Sequence, residues 1–399
     1  MKILQINAIY GGGSTGRTAK ELDEALKQAG HESFIAVPES DLDEPNIYLI
    51  GTRLDHKIHA FFSRVFGLQG YFSFGATKRL IKHIETIKPD IVHLRNLHAN
   101  YVHIPLLLKY LAKKDIVTVI TLHDCFLFTG KCTHYTTQGC YKWQDGCHNC
   151  PKLKADNKSW FFDHTKKLWK DKKDLFGNIP RLAVVGVSDW ITNEAKRSFL
   201  KSAKIIKRIY NWIDLSIFYP REYKSNEFTV LFISAGWVPD SQKFKDVLAL
   251  SELLEDKARI LLAGNIDSSI KLPKNITSLG YIKNTNDLAN LYSQIDVYVH
   301  LSTEDTFGKV VAEAMACGAP AIVYNSTALP ELVSNGCGYV VPAGELSQIY
   351  TAITEIIKNG KSAFNSACLK NVRKNFSKEK NINEYLELYQ NLCSNNGDK

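Results

Sequence analysis

Leu301-Ser-Thr-Glu-Asp-Thr-Phe-Gly-Lys-Val-Val-Ala-Glu-Ala-Met-Ala-Cys-Gly-Ala-Pro320 is the stretch that decides the fold. An apolar run from Ile295 leads into it and reads as a buried strand. Good helix formers follow from Lys309 to Cys317, with Gly318 and Pro320 as stop signals. Between strand and helix lies the turn Phe307-Gly308, flanked by two carboxylates, Asp305 and Glu313. Such a turn gathers unpaired backbone N–H groups and the positive end of the helix dipole, which suits a diphosphate. Carboxylates nearby suit the vicinal hydroxyls of a sugar, because each can accept two hydrogen bonds. The expected ligand is a nucleotide-activated sugar.

Outward from this stretch, apolar runs alternate with helical patterns along the whole chain. In the first half, strands are expected at Ile3–Ile9, Ser33–Val37, Asp90–Leu94, Ile116–Leu122, Leu182–Val187 and Ile205–Ile209, with helices at Thr15–Ala29, Thr77–Ile87, Ile104–Leu111 and Asp189–Phe199. In the second half, strands are expected at Thr229–Ser234, Arg259–Ala263, Asn275–Gly280, Asp296–Leu301, Ala321–Tyr324 and Gly338–Val341, with helices near Phe244–Leu254, Thr285–Ser293, Gly308–Cys317 and Leu346–Lys358. Strands joined by crossover helices build parallel sheets, which bind ligands at the carboxyl ends of their strands. The 399 residues suffice for two such α/β domains. We expect an N-terminal domain over 1–207 with a cysteine-rich insertion at about 125–175, a C-terminal domain over 208–376, and a final helix and polar tail over 377–399.

Composition is that of a globular protein, with 45% hydrophobic and 23% charged residues. No apolar run is long enough to span a bilayer. The first nine residues read as a strand rather than a leader, so a cytoplasmic protein is expected. The net charge of +9 is uneven: residues 1–207 hold 31 Lys and Arg against 20 Asp and Glu. Much of the excess lies between Lys152 and Lys173, interleaved with Trp160, Phe161, Phe162 and Trp169. That segment suits either the inner face of an anionic membrane or a helix with its aromatics turned inward and a solvated Lys face. No nucleic-acid motif accompanies the charge.

The Leu301–Pro320 stretch resembles the C-terminal signature of the retaining glycosyltransferases of family 4, Glu-x-Phe-Gly-x-x-x-x-Glu-Ala-Met-x-x-Gly-x-Pro. Asp305 stands where that pattern has its first Glu, with Glu304 immediately before it. Asn211-Trp-Ile-Asp214 with Phe218 and Pro220 is similar to the family's interdomain Asn-Gly-Ile-Asp…Phe-x-Pro, with Trp212 replacing Gly. Val187-Ser-Asp-Trp190 looks like its Ser-x-Trp element. His93–Tyr101 and Thr121-Leu-His-Asp124 resemble a bacterial exopolysaccharide and capsule branch. The resemblance implies a GT-B fold, two Rossmann-like domains facing across a cleft. It also implies transfer of a sugar from a UDP-, GDP- or other nucleotide-diphosphate donor to a glycan or lipid-linked glycan acceptor.

By the same resemblance, Glu313 would hold the ribose hydroxyls, and Asp305 or Glu304 the sugar hydroxyls. The amides of Phe307, Gly308 and Lys309 would meet the phosphates. Lys243 matches the family's phosphate-binding Lys, although Trp237 falls where its partner Arg is usual and Phe244 replaces a Gly. His123 matches a cleft histidine that stabilises the transferring sugar, and Asp124 is expected to orient it. His98 is a second acceptor-side candidate. In Gly11-Gly-Gly-Ser-Thr-Gly16, Gly12 and Gly13 would let backbone approach the donor, with Arg17 adding charge. Front-face attack, with the departing phosphate taking the acceptor's proton, would need no catalytic metal. Asp41-Leu-Asp43 reads as solvated surface.

Nine cysteines in a cytosolic chain are expected as thiols. Cys132, Cys140, Cys147 and Cys150 cluster in one loop, either as a structural zinc site or as thiols. Two rivals to transfer are a sugar-nucleotide-binding GT-B protein without transferase activity and a nucleotide-sugar epimerase.

Overall fold

The computed structural model describes residues 1–42, 44–222 and 227–394. Asp43, from the Asp41-Leu-Asp43 triplet, lies outside them. The chain divides into two compact units, one comprising Met1–Tyr210 and the chain from Ile382, the other Asn211–Asn381.

The first unit is built on a seven-stranded, wholly parallel sheet. Its strands are β1 (Lys2–Ile6), β2 (Glu32–Val37), β3 (Ile47–Leu49), β4 (Ile91–Leu94), β5 (Val117–Leu122), β6 (Leu182–Gly186) and β7 (Ile205–Arg208), in the order β3-β2-β1-β4-β5-β6-β7. Every residue of β4, β5 and β6 is buried, as strands covered on both faces require, whereas the edge strands β3 and β7 are only half covered. Truncating Ile120, fully buried in β5, to Ala would cost roughly 2–5 kcal/mol. The helices are α1 (Gly13–Gln28), α2 (Arg53–Phe66), α3 (Phe74–Ile87), α4 (Ile104–Lys113), α5 (Thr165–Gly177) and α6 (Asp189–Arg197).

The second unit has a six-stranded parallel sheet: β8 (Thr229–Trp237), β9 (Arg259–Ile266), β10 (Ile276–Gly280), β11 (Val297–His300), β12 (Ala321–Tyr324) and β13 (Gly338–Val341), ordered β10-β9-β8-β11-β12-β13. Its helices are α7 (Gln242–Leu254), α8 (Thr285–Gln294), α9 (Lys309–Ala316), α10 (Leu329–Leu332), α11 (Leu346–Asn359) and α12 (Ser362–Asn375). The last helix, α13 (Lys378–Ser394), starts in this unit and ends in the first. There Tyr389 and His93 Nδ1 are 2.7 Å apart, and Tyr385 and Thr121 lie 2.9 Å apart, a buried polar pin under the helix.

Both sheets therefore show the α/β, Rossmann-like architecture expected from the alternation of strands and helices. The strand β3 and the helices α2, α10 and α12 were not anticipated. The aromatics of Lys152–Lys173 divide between buried and exposed positions. In α5 the Trp169 ring is buried, as an inward-facing helix requires, but Trp160, Phe161 and Phe162 precede the helix and are exposed. No helix among the described residues is long and apolar enough to cross a membrane.

Candidate active site

In each sheet the strand order reverses at one place, between β1 and β4 and between β8 and β11. Loops leaving the carboxyl ends of such neighbours diverge and open a ligand crevice. Gly12, Gly13, Arg17, His98, Lys243 and the Glu304–Glu313 candidates follow those four strands, whereas His123 and Asp124 follow β5, the neighbour of β4.

In the second unit β11 feeds the segment Leu301–Gly308. Its last residue, His300, is held in a relay: Tyr298 Oη lies 2.8 Å from His300 Nδ1, and His300 Nε2 lies 2.8 Å from Asp305 Oδ2. Burial drives the Tyr298 pKa far up, and the charges of Asp305 and Glu313 add to the rise. The phenol thus stays protonated and donates to Nδ1, which leaves Nε2–H to donate to Asp305. The Asp305 backbone is fixed as well, its amide donating to Thr327 Oγ1 at 3.1 Å and its carbonyl accepting from Ala328 N at 3.2 Å. Glu304, half-buried, precedes it.

Gly308 caps α9 in the left-handed region, at φ +85° and ψ +54°. A Cβ there would fall 2.8 Å from Leu329 Cδ2 and 3.0 Å from Leu332 Cδ1, so a side chain is excluded by both backbone and space. Phe307 turns its ring into the core, 5.4 Å from that of Phe376. Lys309 and Glu313 are buried on α9, Glu313 at 1% exposure.

Lys243 is the second residue of α7, whose first turn is capped by Ser241 Oγ. Burial lowers the pKa of its ammonium, and the Asp305 charge partly offsets this, so the two groups share one neighbourhood. The Trp237 ring centroid lies 5.6 Å from the Lys243 nitrogen, in cation–π range, where the family pattern has an arginine. The Trp237 indole N–H donates to the Ala263 carbonyl at 3.1 Å. Phe244 points into the core, its ring 6.3 Å from Trp237, in ordinary helical backbone. Trp212 likewise shows no positive φ, so the position of the family's glycine makes no special backbone demand here.

In the first unit β1 opens into Gly11–Gly16, closed by a hydrogen bond from Gly11 N to Gly16 O at 3.0 Å. Gly12 and Gly13 are exposed at the start of α1, and Arg17 is half-buried one turn on. Below them sits Arg95, 1% exposed, which sequence reasoning did not single out. It donates to Gln5 Oε1 at 3.2 Å, Thr18 Oγ1 at 2.7 Å and His123 Nε2 at 2.9 Å. Guanidinium has no acceptor, so His123 must accept through Nε2 and carry its proton on Nδ1. A lone arginine directly after the buried strand β4 was the available signal.

Asp124 does not partner His123 as expected. Its Oδ2 accepts from His98 Nε2 at 2.8 Å and from Asn96 Nδ2 at 3.1 Å, and its Oδ1 from the Phe126 amide at 2.8 Å. The β4 and β5 loops run side by side, which brings His98 nearer than the residue next in sequence. Burial alone would lower His98, but the bond and charge of Asp124 prevail and raise it. Burial alone would raise Asp124, but the His98 bond outweighs it and lowers its pKa.

The zinc reading of the cysteine cluster is not met by the donor geometry. Cys132 and Cys150 are hydrogen-bonded to each other, and the Cys147 sulfur instead accepts from Gly130 N at 3.2 Å. Among the described residues no group of three or more His, Cys, Asp or Glu is placed to hold a metal ion.

Residues 11–217 match the family model "Glycosyltransferase Family 4", and residues 220–375 match "Glycosyl transferases group 1". WcaC of Escherichia coli, a glycosyl transferase named for colanic acid biosynthesis, is 22% identical over 98% of this chain and 100% of its own length. Among solved structures, sucrose-phosphate synthase from Thermosynechococcus elongatus superposes with a TM-score of 0.69 at 16% identity, covering 98% of this chain and 99% of that one. Anabaena HepE in complex with UDP gives 0.65 at 14% identity, covering 98% and 100%. Two parallel-sheet domains with these neighbours define a glycosyltransferase of the GT-B class. The chain belongs to glycosyltransferase family 4.

Proposed function

We propose that the protein is a retaining glycosyltransferase of bacterial surface polysaccharide biosynthesis. It would move a sugar from a nucleoside-diphosphate donor to a glycan or lipid-linked glycan acceptor. The observation that carries this reading is the placement of Lys243 in the first turn of α7 after β8 and of Asp305 and Glu313 on the segment after β11, at the β8/β11 switch point, beside an α9 N-terminus that no side chain caps. HepE, crystallised with UDP and with UDP-glucose, supports a nucleotide-sugar donor by analogy of fold.

In this reading Glu313 accepts from the ribose hydroxyls. Lys243 and the amides of Phe307, Gly308 and Lys309 hold the diphosphate. Asp305, fixed by His300, or Glu304 beside it, orients the sugar. The glycosidic C–O bond to phosphate breaks as the acceptor oxygen bonds the same face of the anomeric carbon. The acceptor's proton passes to the departing phosphate oxygen, and the preorganised donors stabilise the charge that develops there. His123, held by Arg95 with its proton on Nδ1, contributes a fixed dipole to the oxocarbenium-like state, and Gly12, Gly13 and Arg17 let backbone and positive charge approach the donor diphosphate and the acceptor. The protein would act at the cytoplasmic face of the cell membrane.

The test is transfer from UDP- and GDP-sugars to lipid-linked or soluble glycans, with the product anomer assigned by NMR. A product with the donor's anomeric configuration is expected. Inverted product would contradict retention, and donor binding without any turnover would favour the non-transferring reading.

A further inference from the structure

Helix α2 is inside out. Its start is set by a capping box, Thr52 Oγ1 accepting from Asp55 N at 3.2 Å and Asp55 Oδ2 from Thr52 N at 2.9 Å, and Gly67 ends it in the left-handed region. The residues it buries are polar. His59 Nδ1 lies 2.6 Å from Ser73 Oγ, its Nε2 accepts from Gly70 N at 3.2 Å, and Ser63 donates to Asn100 Oδ1 at 2.8 Å. Burial holds the His59 imidazole down at about 3, so it is neutral there. The apolar stripe Leu54, Ile58, Phe61, Phe62 and Phe66 faces outward. A helix resting on a water-soluble domain normally does the reverse.

A second segment completes this face. Trp160 N donates to Arg64 O at 2.6 Å, His164 Nδ1 meets Phe66 O at 2.6 Å, and the Phe162 carbonyl fills the space where Gly67 lacks a side chain. These bonds hold six aromatics in a closed circuit of ring contacts. It runs Phe61, Phe62, Phe66, Phe162, Phe161, Trp160 and back to Phe61, with centroids 5.4 to 6.5 Å apart. All six are exposed, Phe161 most at 70%. An apolar patch this continuous is rare on a protein that meets only water.

Charge indicates what covers it. Residues 53–66 and 152–167 together hold eight Lys and Arg against three Asp. Beside the aromatic circuit, Trp160 also walls a pocket of about 470 Å³ lined by Arg64, Gln69, Asn100, Asp156 and Lys158. Gln69 is 93% buried, and its Nε2 makes no hydrogen bond. The Asp156 carboxylate accepts from Thr133 and the Asn157 amide, and Arg64 and Lys158 set two positive charges against its one, with Gln69 Nε2 as a further donor. Such a pocket next to an aromatic face matches a lipid phosphate whose chains continue into the bilayer.

We propose that this face docks on an anionic phospholipid bilayer, with the aromatic circuit at the boundary of headgroups and acyl chains and one headgroup phosphate between Arg64, Gln69 and Lys158. The proposal stands apart from the donor site and does not depend on it.

The experiment is flotation of the full chain with phosphatidylcholine vesicles, with and without about 30% phosphatidylglycerol. Binding to the anionic vesicles is expected, at least roughly tenfold tighter than to neutral ones. Phe61→Ser with Phe161→Ser should weaken it roughly a hundredfold. Arg64→Gln with Lys158→Gln should weaken it about thirtyfold on anionic vesicles alone. None of the four positions is a donor residue, and a circular-dichroism spectrum and melting temperature matching the wild type show that the variants fold. Wild type that ignores both vesicles overturns the proposal, as does undiminished binding by the double Phe variant. A dimer abolished by Phe61→Ser with Phe161→Ser, in protein that does not bind vesicles, would assign the face to a second copy instead.

Discussion

Arg95 donates to Nε2 of His123 across 2.9 Å, and this one bond fixes the tautomer of the imidazole expected at the reacting sugar. The same guanidinium ties Gln5 on β1 to Thr18 on α1, so the histidine inherits the rigidity of the sheet. Arg95→Lys keeps the charge but not a fork that reaches three acceptors. The variant is expected to fold and bind donor, with kcat lowered roughly 10- to 100-fold and donor KM little changed. Steady-state kinetics on the purified variant check this, and a KM effect alone would point to donor binding instead.

The His98–Asp124 pair should be visible in the pH dependence of stability. His98 is raised, so its contribution is full below the unfolded value near 6.5 and fades as pH climbs through the folded one. Asp124 is lowered, so its contribution is present above its unfolded value of about 4 and is lost as pH falls through the folded one. The stabilising window lies between them. Asp124→Asn should therefore cost about 1–3 kcal/mol near pH 6 and less at pH 9, by urea melts at both values. An NMR titration should also find His98 protonating at lower pH in the variant.

Lys243 carries a different pH signature. Burial lowers its pKa, so the ammonium is lost below the usual lysine value of about 10.4. Donor affinity of the wild type should fall as pH rises into that range. Lys243→Ala should bind donor roughly 10- to 100-fold more weakly at pH 7.5 and show no such alkaline limb. Calorimetry at several pH values makes the comparison, and parallel limbs in both proteins would remove Lys243 from the phosphate site.

At Gly308 the expectation is steric. Gly308→Ala must accommodate a Cβ against Leu329 and Leu332 at a φ that L-residues avoid. A loss of about 1–3 kcal/mol is expected, with weaker donor binding as the first turn of α9 shifts. Unchanged melting and affinity would mean the turn relaxes freely.

Most of the fold was legible because parallel strands buried on both faces, such as β5 and β12, read as unbroken apolar runs. The strand, turn and helix that carry Asp305 and Glu313, the proposed donor residues, were legible for a related reason, since all three lie within one short stretch. Contacts between distant segments were not. Arg95 reaches His123 across 28 positions, and Asp124 chooses His98 over its neighbour because β4 and β5 lie side by side. The helix α2 escaped because its apolar stripe had no anticipated partner, and the structure turns that stripe outward. The four cysteines had a suggestive spacing, but spacing alone does not make donors converge.

Glu313, buried on α9 beside the turn proposed to hold the diphosphate, is the most exacting probe of donor binding by the second unit. The direct measurement is the thermal shift of wild type and Glu313→Ala against UDP-, GDP-, ADP- and dTDP-sugars. At about 100 times its Kd, the cognate donor should stabilise the wild type by about 2.7 kcal/mol. One nucleotide is expected to give this shift, and Glu313→Ala, folded but without the acceptor for the ribose hydroxyls, is expected to lose most of it. An equal shift in both proteins would contradict the assigned site, and no shift from any donor in folded wild type would contradict donor binding itself.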